Sequence, residues 1–111
     1  MIFLLRHYRP ENEALLLGAL KEMKFDFADT SGWHAVVLEI TGEYSDRKVD
    51  LPASVLREAY TRSLCKHCRY RLFTQLYERG ALTDLEQEEA YFDAEEDIVR
   101  FAKKHGLKKP M

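Results

Sequence analysis

Three groups of residues have types and spacings that could carry chemistry. The first is Cys65-Lys66-His67-Cys68, which puts two thiols and an imidazole, all zinc ligands, within one short string. A closed zinc site takes four protein ligands, and the second Cys/His pair that usually completes it is missing. A redox CxxC belongs at a helix N-terminus, where the dipole lowers the thiol pKa, and the apolar spacing places this one near the middle of a long helix. Cys65 and Cys68 are therefore expected in the core, and neither a metal nor a cofactor is expected. His7, His34 and His105 fall on or beside apolar stripes and read as hydrogen-bonded core or boundary residues.

The second group is basic. Arg62, Lys66 and Arg69 recur at i, i+4 and i+7, with Tyr70 and Phe73 close by, so one helix face would offer cations for phosphates and an aromatic ring for a base. No RNP, KH or glycine-rich signature accompanies the strip. The third group is acidic: Glu86, Glu89, Asp93 and Glu96 recur at spacings of three, four and three. On a helix, neighbours of this kind stand about 5–6 Å apart, which makes a carboxylate ladder on the outer face. Such a ladder could occupy a basic groove on another protein, solubilise its helix, or pair with the Arg62 strip inside the fold. Glu88 and Glu95 project between apolar rows and are expected to pair with a base such as Arg71.

Enzymatic signatures are missing: there is no GxSxG, Walker loop, GxGxxG, HExxH or EF-hand. Ser63, His67 and Glu58 could mimic a nucleophile set, but nothing in the sequence builds an oxyanion hole around them.

The charge pattern sharpens the contrast between the acidic and basic groups. The net charge of the 111 residues is -2. Asp84 to Asp97 holds eight acids and no base, which leaves 17 basic residues against 11 acidic ones, or +6, elsewhere. With 46% hydrophobic and 32% charged residues, the chain can fill a core and is too charged for a membrane protein. The stretch from Thr30 to Leu38 is far short of the 18 or so apolar residues a span requires, and Ile2 to Leu5 is too brief for a signal-peptide core. A cytoplasmic protein is the expectation. Two cysteines three positions apart cannot staple distant parts of a fold, so a disulfide scaffold is excluded.

The elements that must position these groups read as one domain, 1–111, with a β-α-β-rich half (1–51) and a helical hairpin half (52–106). Met1 to Tyr8 reads as a short strand, and Pro10 opens a helix carrying Leu16, Ala19, Leu20 and Met23 on one face. Trp33 to Ile40 is β-branched and aromatic and reads as a central strand covered on both faces; a hairpin through Thr41-Gly42 and Ser45-Asp46 returns through Val49 and Leu51. From Ala53 to Glu78 an apolar residue recurs every four positions, a stripe that drifts round a helix, so the helix either curves or breaks. Gly80 closes it, Thr83-Asp84-Leu85-Glu86 matches a capping box, and a last helix runs to Gly106 with Leu85 and Phe92 broadening its inner stripe. The expected fold class is α+β: a small, mainly antiparallel sheet with one early helix and two long C-terminal helices.

The leading functional reading is a small non-enzymatic binding module, a regulator or inhibitor, that applies Glu86, Glu89, Asp93 and Glu96 to a protein partner with a basic surface. The alternative is a nucleic-acid-binding protein using Arg62, Lys66, Arg69 and Phe73, and a further one is a small enzyme of unrecognised type.

Overall fold

The computed structural model describes residues 8–23, 31–41, 51–63 and 66–110. Every regular element among them is helical. A 3-10 turn at Pro10–Asn12 leads into α1 (Glu13–Glu22); α2 spans Ser31–Ile40, α3 Ala53–Arg62, α4 Lys66–Glu78, α5 Asp84–Ala90 and α6 Glu96–His105. Among the described residues there is no strand, so the α+β class with its antiparallel sheet is overturned in favour of an all-helical arrangement.

The segment expected to be the central strand is α2. Trp33, Val36, Val37 and Ile40 are its buried apolar residues, and their spacing of i, i+3, i+4 and i+7 is the helical period. The β-branched side chains favour strands only when a pleated surface is there to receive them; here one inner stripe packs against other helices, and tertiary burial overrides that preference. Thr41 ends the helix, its N–H and its Oγ1 both donating to the Val37 carbonyl at 2.9 and 3.0 Å. The strand expected at Met1 to Tyr8 and the returning hairpin fall largely on residues 1–7 and 42–50, outside the described residues. Leu51 lies in no regular element and is buried in the core.

The two long C-terminal helices are four shorter ones. The stripe from Ala53 to Glu78 breaks at Ser63, whose ψ of 122° is extended. Buried Ser63 makes the break productive: its Oγ accepts from the Trp33 indole Nε1 at 3.1 Å and donates to the Ala59 carbonyl at 2.7 Å. Each half then keeps its own inner stripe, Val55, Leu56 and Ala59 on α3, and Cys68, Leu72, Phe73 and Leu76 on α4. The last helix divides at 91–95. There the Asp93 carboxylate accepts from the Glu95 N–H at 2.9 Å, an Asx turn that competes with helix continuation. The Glu95 carboxylate then caps α6 through the Asp97 N–H.

The helix ends otherwise follow sequence chemistry. Thr83 and Glu86 form the reciprocal capping box that starts α5. Gly106 takes the left-handed conformation that closes α6, at φ 60°. α3 and α4 lie against each other, α1 packs on α3, α2 and α6 pack on α4, and α5 on α6. The main core gathers Leu16 and Leu20 from α1, the α2 stripe, and the inner faces of α3 and α4. A second cluster of Phe73, Ala90, Ile98, Ala102 and Leu107 seats α5 and α6, and Tyr60 touches both. Among the described residues no helix is long and apolar enough to cross a membrane.

Candidate functional site

The acidic segment is where charge, exposure and apolar surface coincide. The break at 91–95 means that Glu86, Glu89, Asp93 and Glu96 do not stand in one ladder on one helix. Glu86 faces inward: its carboxylate takes Arg57 Nη2 and Nε, both at 3.1 Å, while Oε1 also accepts from the Thr83 N–H at 2.9 Å. Burial pushes this carboxyl up, but the bonds from Arg57 and Thr83 outweigh it and hold it below its ordinary value. Asp93 binds Arg69 Nη2 at 2.5 Å. Glu96 stays well exposed and, among the described residues, pairs with Arg100, one turn along, at 3.3 Å. Glu89 is exposed and makes no ion pair among the described residues.

The basic strip is likewise dispersed. Arg62 belongs to the end of α3, whereas Lys66 and Arg69 belong to the start of α4, so the three do not share one helix. Arg62 Nε binds Glu58 at 2.8 Å. Arg69 is held by Asp93 and also lies over the Tyr60 ring at 5.0 Å. That neighbourhood raises the Tyr60 hydroxyl pKa, burial being the larger cause and Arg69 opposing it. Lys66 is exposed. Phe73 is wholly buried and packs edge-on against Phe101 at 5.5 Å, so its ring is not presented to a base. The Arg69–Asp93 bond is the intramolecular pairing between the acidic and basic groups that the sequence also allowed.

The remaining expected groups are placed as follows. Glu88 approaches Lys108 Nζ at 3.6 Å rather than Arg71. Lys108 is also bonded to Asp84 at 3.2 Å, and that contact is the main cause of its raised pKa. Cys65 and His7 lie outside the described residues; His67 is exposed, and Cys68 is buried, with its Sγ 3.8 Å from His34 Nδ1. Among the described residues no three His, Cys, Asp or Glu side chains come together to hold a metal ion. Ser63 is buried against Trp33, and Glu58 is bonded to Arg62, so Ser63, His67 and Glu58 do not converge as a nucleophile set.

Sequence reasoning missed the apolar part of this surface. Leu85 and Phe92, expected on an inner stripe, are 62% and 77% exposed. With Glu89 they occupy i, i+4 and i+7, one face of α5 and the turn that extends it, where the Phe92 N–H donates to the Glu89 carbonyl at 2.9 Å. The opposite face carries Glu86 and buried Ala90. The signal that could have found this is Asp93: an Asx turn there ends the helix, so its phase need not be shared with Ile98 and Phe101. A cleft of about 280 Å³ is lined by Ser63, Lys66, Arg69, Asp93, Ala94 and Glu95.

This arrangement can do two things physically. The paired acids Glu86 and Asp93 fix α5 and its turn to α3 and α4. Glu89, which has no ion pair among the described residues, faces solvent together with Leu85 and Phe92 as an apolar ridge with negative charge in its middle. No protein-family model, curated protein or solved structure matches the chain.

Proposed function

We propose that this chain is a small protein-binding module that docks through the ridge Leu85–Glu89–Phe92, with Glu96 at its edge, onto a partner presenting an apolar groove rimmed by Lys or Arg. The observation that carries the reading is the exposure of Phe92 and Leu85 away from the core, with the exposed Glu89 between them, which has no ion-pair partner among the described residues. Burying a side chain of this size is worth about 1.5–3 kcal/mol, and leaving two in water on a short, well-capped helix gives a partner a ready anchor. Anchors at i, i+4 and i+7 are the pattern by which a helix enters a groove. The negative charge of the segment selects a basic rim and speeds encounter.

The reading narrows the acidic set. Glu86 and Asp93 act as the supports of the surface, and Glu89 and Glu96 act on the partner. The nucleic-acid reading is less favoured: Arg62 and Arg69 are bonded to acids, and Phe73 is buried. Neither function requires catalysis by this chain.

The test is affinity capture with solvent-facing variants, because reversing Arg69 or Asp93 would break a structural pair. The wild type should recover a stoichiometric basic protein, Phe92→Ser and Glu89→Lys should lose it, and Lys66→Glu should keep it, all three variants showing the wild-type circular dichroism. Recovery of RNA or DNA that Lys66→Glu abolishes, or of a protein indifferent to Phe92→Ser and Glu89→Lys, overturns the proposal.

A further inference from the structure

The chain that follows α6 lies back over α5. Leu107 is buried in the second core cluster, and its carbonyl accepts from the Tyr91 hydroxyl at 2.6 Å. One residue on, the Lys108 N–H donates to Gln87 Oε1 at 3.1 Å. A buried side chain and two hydrogen bonds therefore fix the backbone of 107–108 as a strap across α5 and the turn that extends it.

From that strap the Lys108 ammonium reaches Asp84 at 3.2 Å and Glu88 at 3.6 Å. The two acids are four positions apart, and Glu88 lies three after Leu85 and four before Phe92, which makes it the helix-surface neighbour of both anchors. The flank of the docking ridge thus already holds a cation of the kind its partner would bring, and the cation belongs to this chain. The contact is open to water, with the side chains of Asp84 and Lys108 76% and 47% exposed. An exposed pair of this sort shifts an equilibrium by about fivefold at most. The ammonium is weakly held on a firmly held mount, so it can leave the two carboxylates while the strap stays in place.

We infer that Lys108 is a built-in competitor: it occupies the carboxylates of Asp84 and Glu88 that a Lys or Arg of the partner takes when the ridge docks, and docking displaces it. The inference rests on the docking reading above and supplies its regulation. A partner cation arriving at this flank meets a like charge until Lys108 moves, which lowers affinity for every basic surface and leaves only those that also fill the ridge able to bind. Removing the charge of Lys108, as acetylation does, frees both acids and raises affinity.

The test uses the full chain and, as probe, a synthetic amphipathic helix of Leu and Arg, N-acetylated so that it carries no amine. Trace acetylation with acetic anhydride, mapped by peptide mass, reports on the Lys108 amine even without the probe. The carboxylates beside it favour its protonated form, so Lys108 should react about two- to fivefold more slowly than Lys109. The double change Asp84→Asn and Glu88→Gln should erase that difference, and so should saturating probe, because displacement uncovers the amine. Fluorescence anisotropy then gives the Kd of the probe. Lys108→Gln should tighten binding by about two- to fivefold, whereas Lys109→Gln, the same change of net charge, should leave it near the wild-type value. Equal labelling of Lys108 and Lys109 in the free protein overturns the inference. So does labelling that bound probe leaves slow, a Lys108→Gln variant that binds no tighter than Lys109→Gln, or a probe that binds neither variant. Binding that Lys108→Gln tightens but Phe92→Ser leaves unchanged refutes the ridge and upholds the competition at Asp84 and Glu88.

Discussion

Replacing Glu86 by Gln tests how the docking ridge is held. Glu86 is the junction of α3, the α4–α5 connection and the start of α5. Its carboxylate joins the Arg57 guanidinium to the Thr83 N–H, and Arg57 in turn donates to the Ala81 carbonyl. The Glu86 side chain is 15% exposed and that of Arg57 35%. A fully exposed ion pair contributes about 0.2–1 kcal/mol and a charged hydrogen bond about 1.5–3 kcal/mol, so a half-covered pair that also caps a helix should lie between, at about 1–2 kcal/mol. Gln is nearly isosteric and can still accept from Thr83, but its amide carries no charge to meet Arg57. The pH dependence has a definite sign. Because the folded carboxyl titrates below its ordinary value, its contribution is complete above the unfolded pKa and is lost as pH falls through the folded one. Protonated Glu resembles Gln, so the two proteins should converge in acid. Urea denaturation of both at neutral pH and below the carboxylate range, at about pH 3, measures this. A gap under about 0.3 kcal/mol at neutral pH, or one that persists undiminished in acid, would refute the role assigned to this junction.

Two further substitutions probe the fold that positions the site. Gly18→Ala and Gly106→Ala should have opposite signs, because an added Cβ meets nothing at either position but Gly106 has φ +60°. Thermal unfolding should show Gly18→Ala more stable, and Gly106→Ala less stable, by about 1 kcal/mol each; a shared sign would contradict the assigned backbone. Ser63→Ala removes the hydroxyl between Trp33 and Ala59, and should cost about 1–3 kcal/mol in chemical denaturation. No loss would mean that the break between α3 and α4 does not depend on that bond.

Much of the local chemistry was legible in the sequence, and the fold class was not. Thr83 and Glu86 announced a helix start because a capping box needs only backbone four residues long, and it is present. The stripe from Ala53 to Glu78 showed that a straight helix was untenable, yet nothing local chose between curving and breaking; a buried bond from Trp33, thirty positions away, accompanies the break. Trp33 to Ile40 fits two periods, since its covered residues satisfy helical spacing while its composition favours strands, and only the neighbours it packs against decide. The same limit governed the candidate site. Glu86 and Asp93 are indistinguishable in sequence from Glu89 and Glu96, and what separates them is the position of Arg57 and Arg69 on other helices. The exposure of Phe92 depended on the Asx turn at Asp93, which a continuous inner stripe concealed.

The central claim is that Phe92 anchors this protein to a partner. Its most direct measurement is the dissociation constant of the captured partner for the wild type and for Phe92→Ala, by titration calorimetry on proteins of matched thermal stability. The predicted result is about 30-fold weaker binding, equivalent to ~2 kcal/mol, with the unfolding midpoint unchanged. Binding weakened by less than about threefold would place the anchor elsewhere and contradict the account.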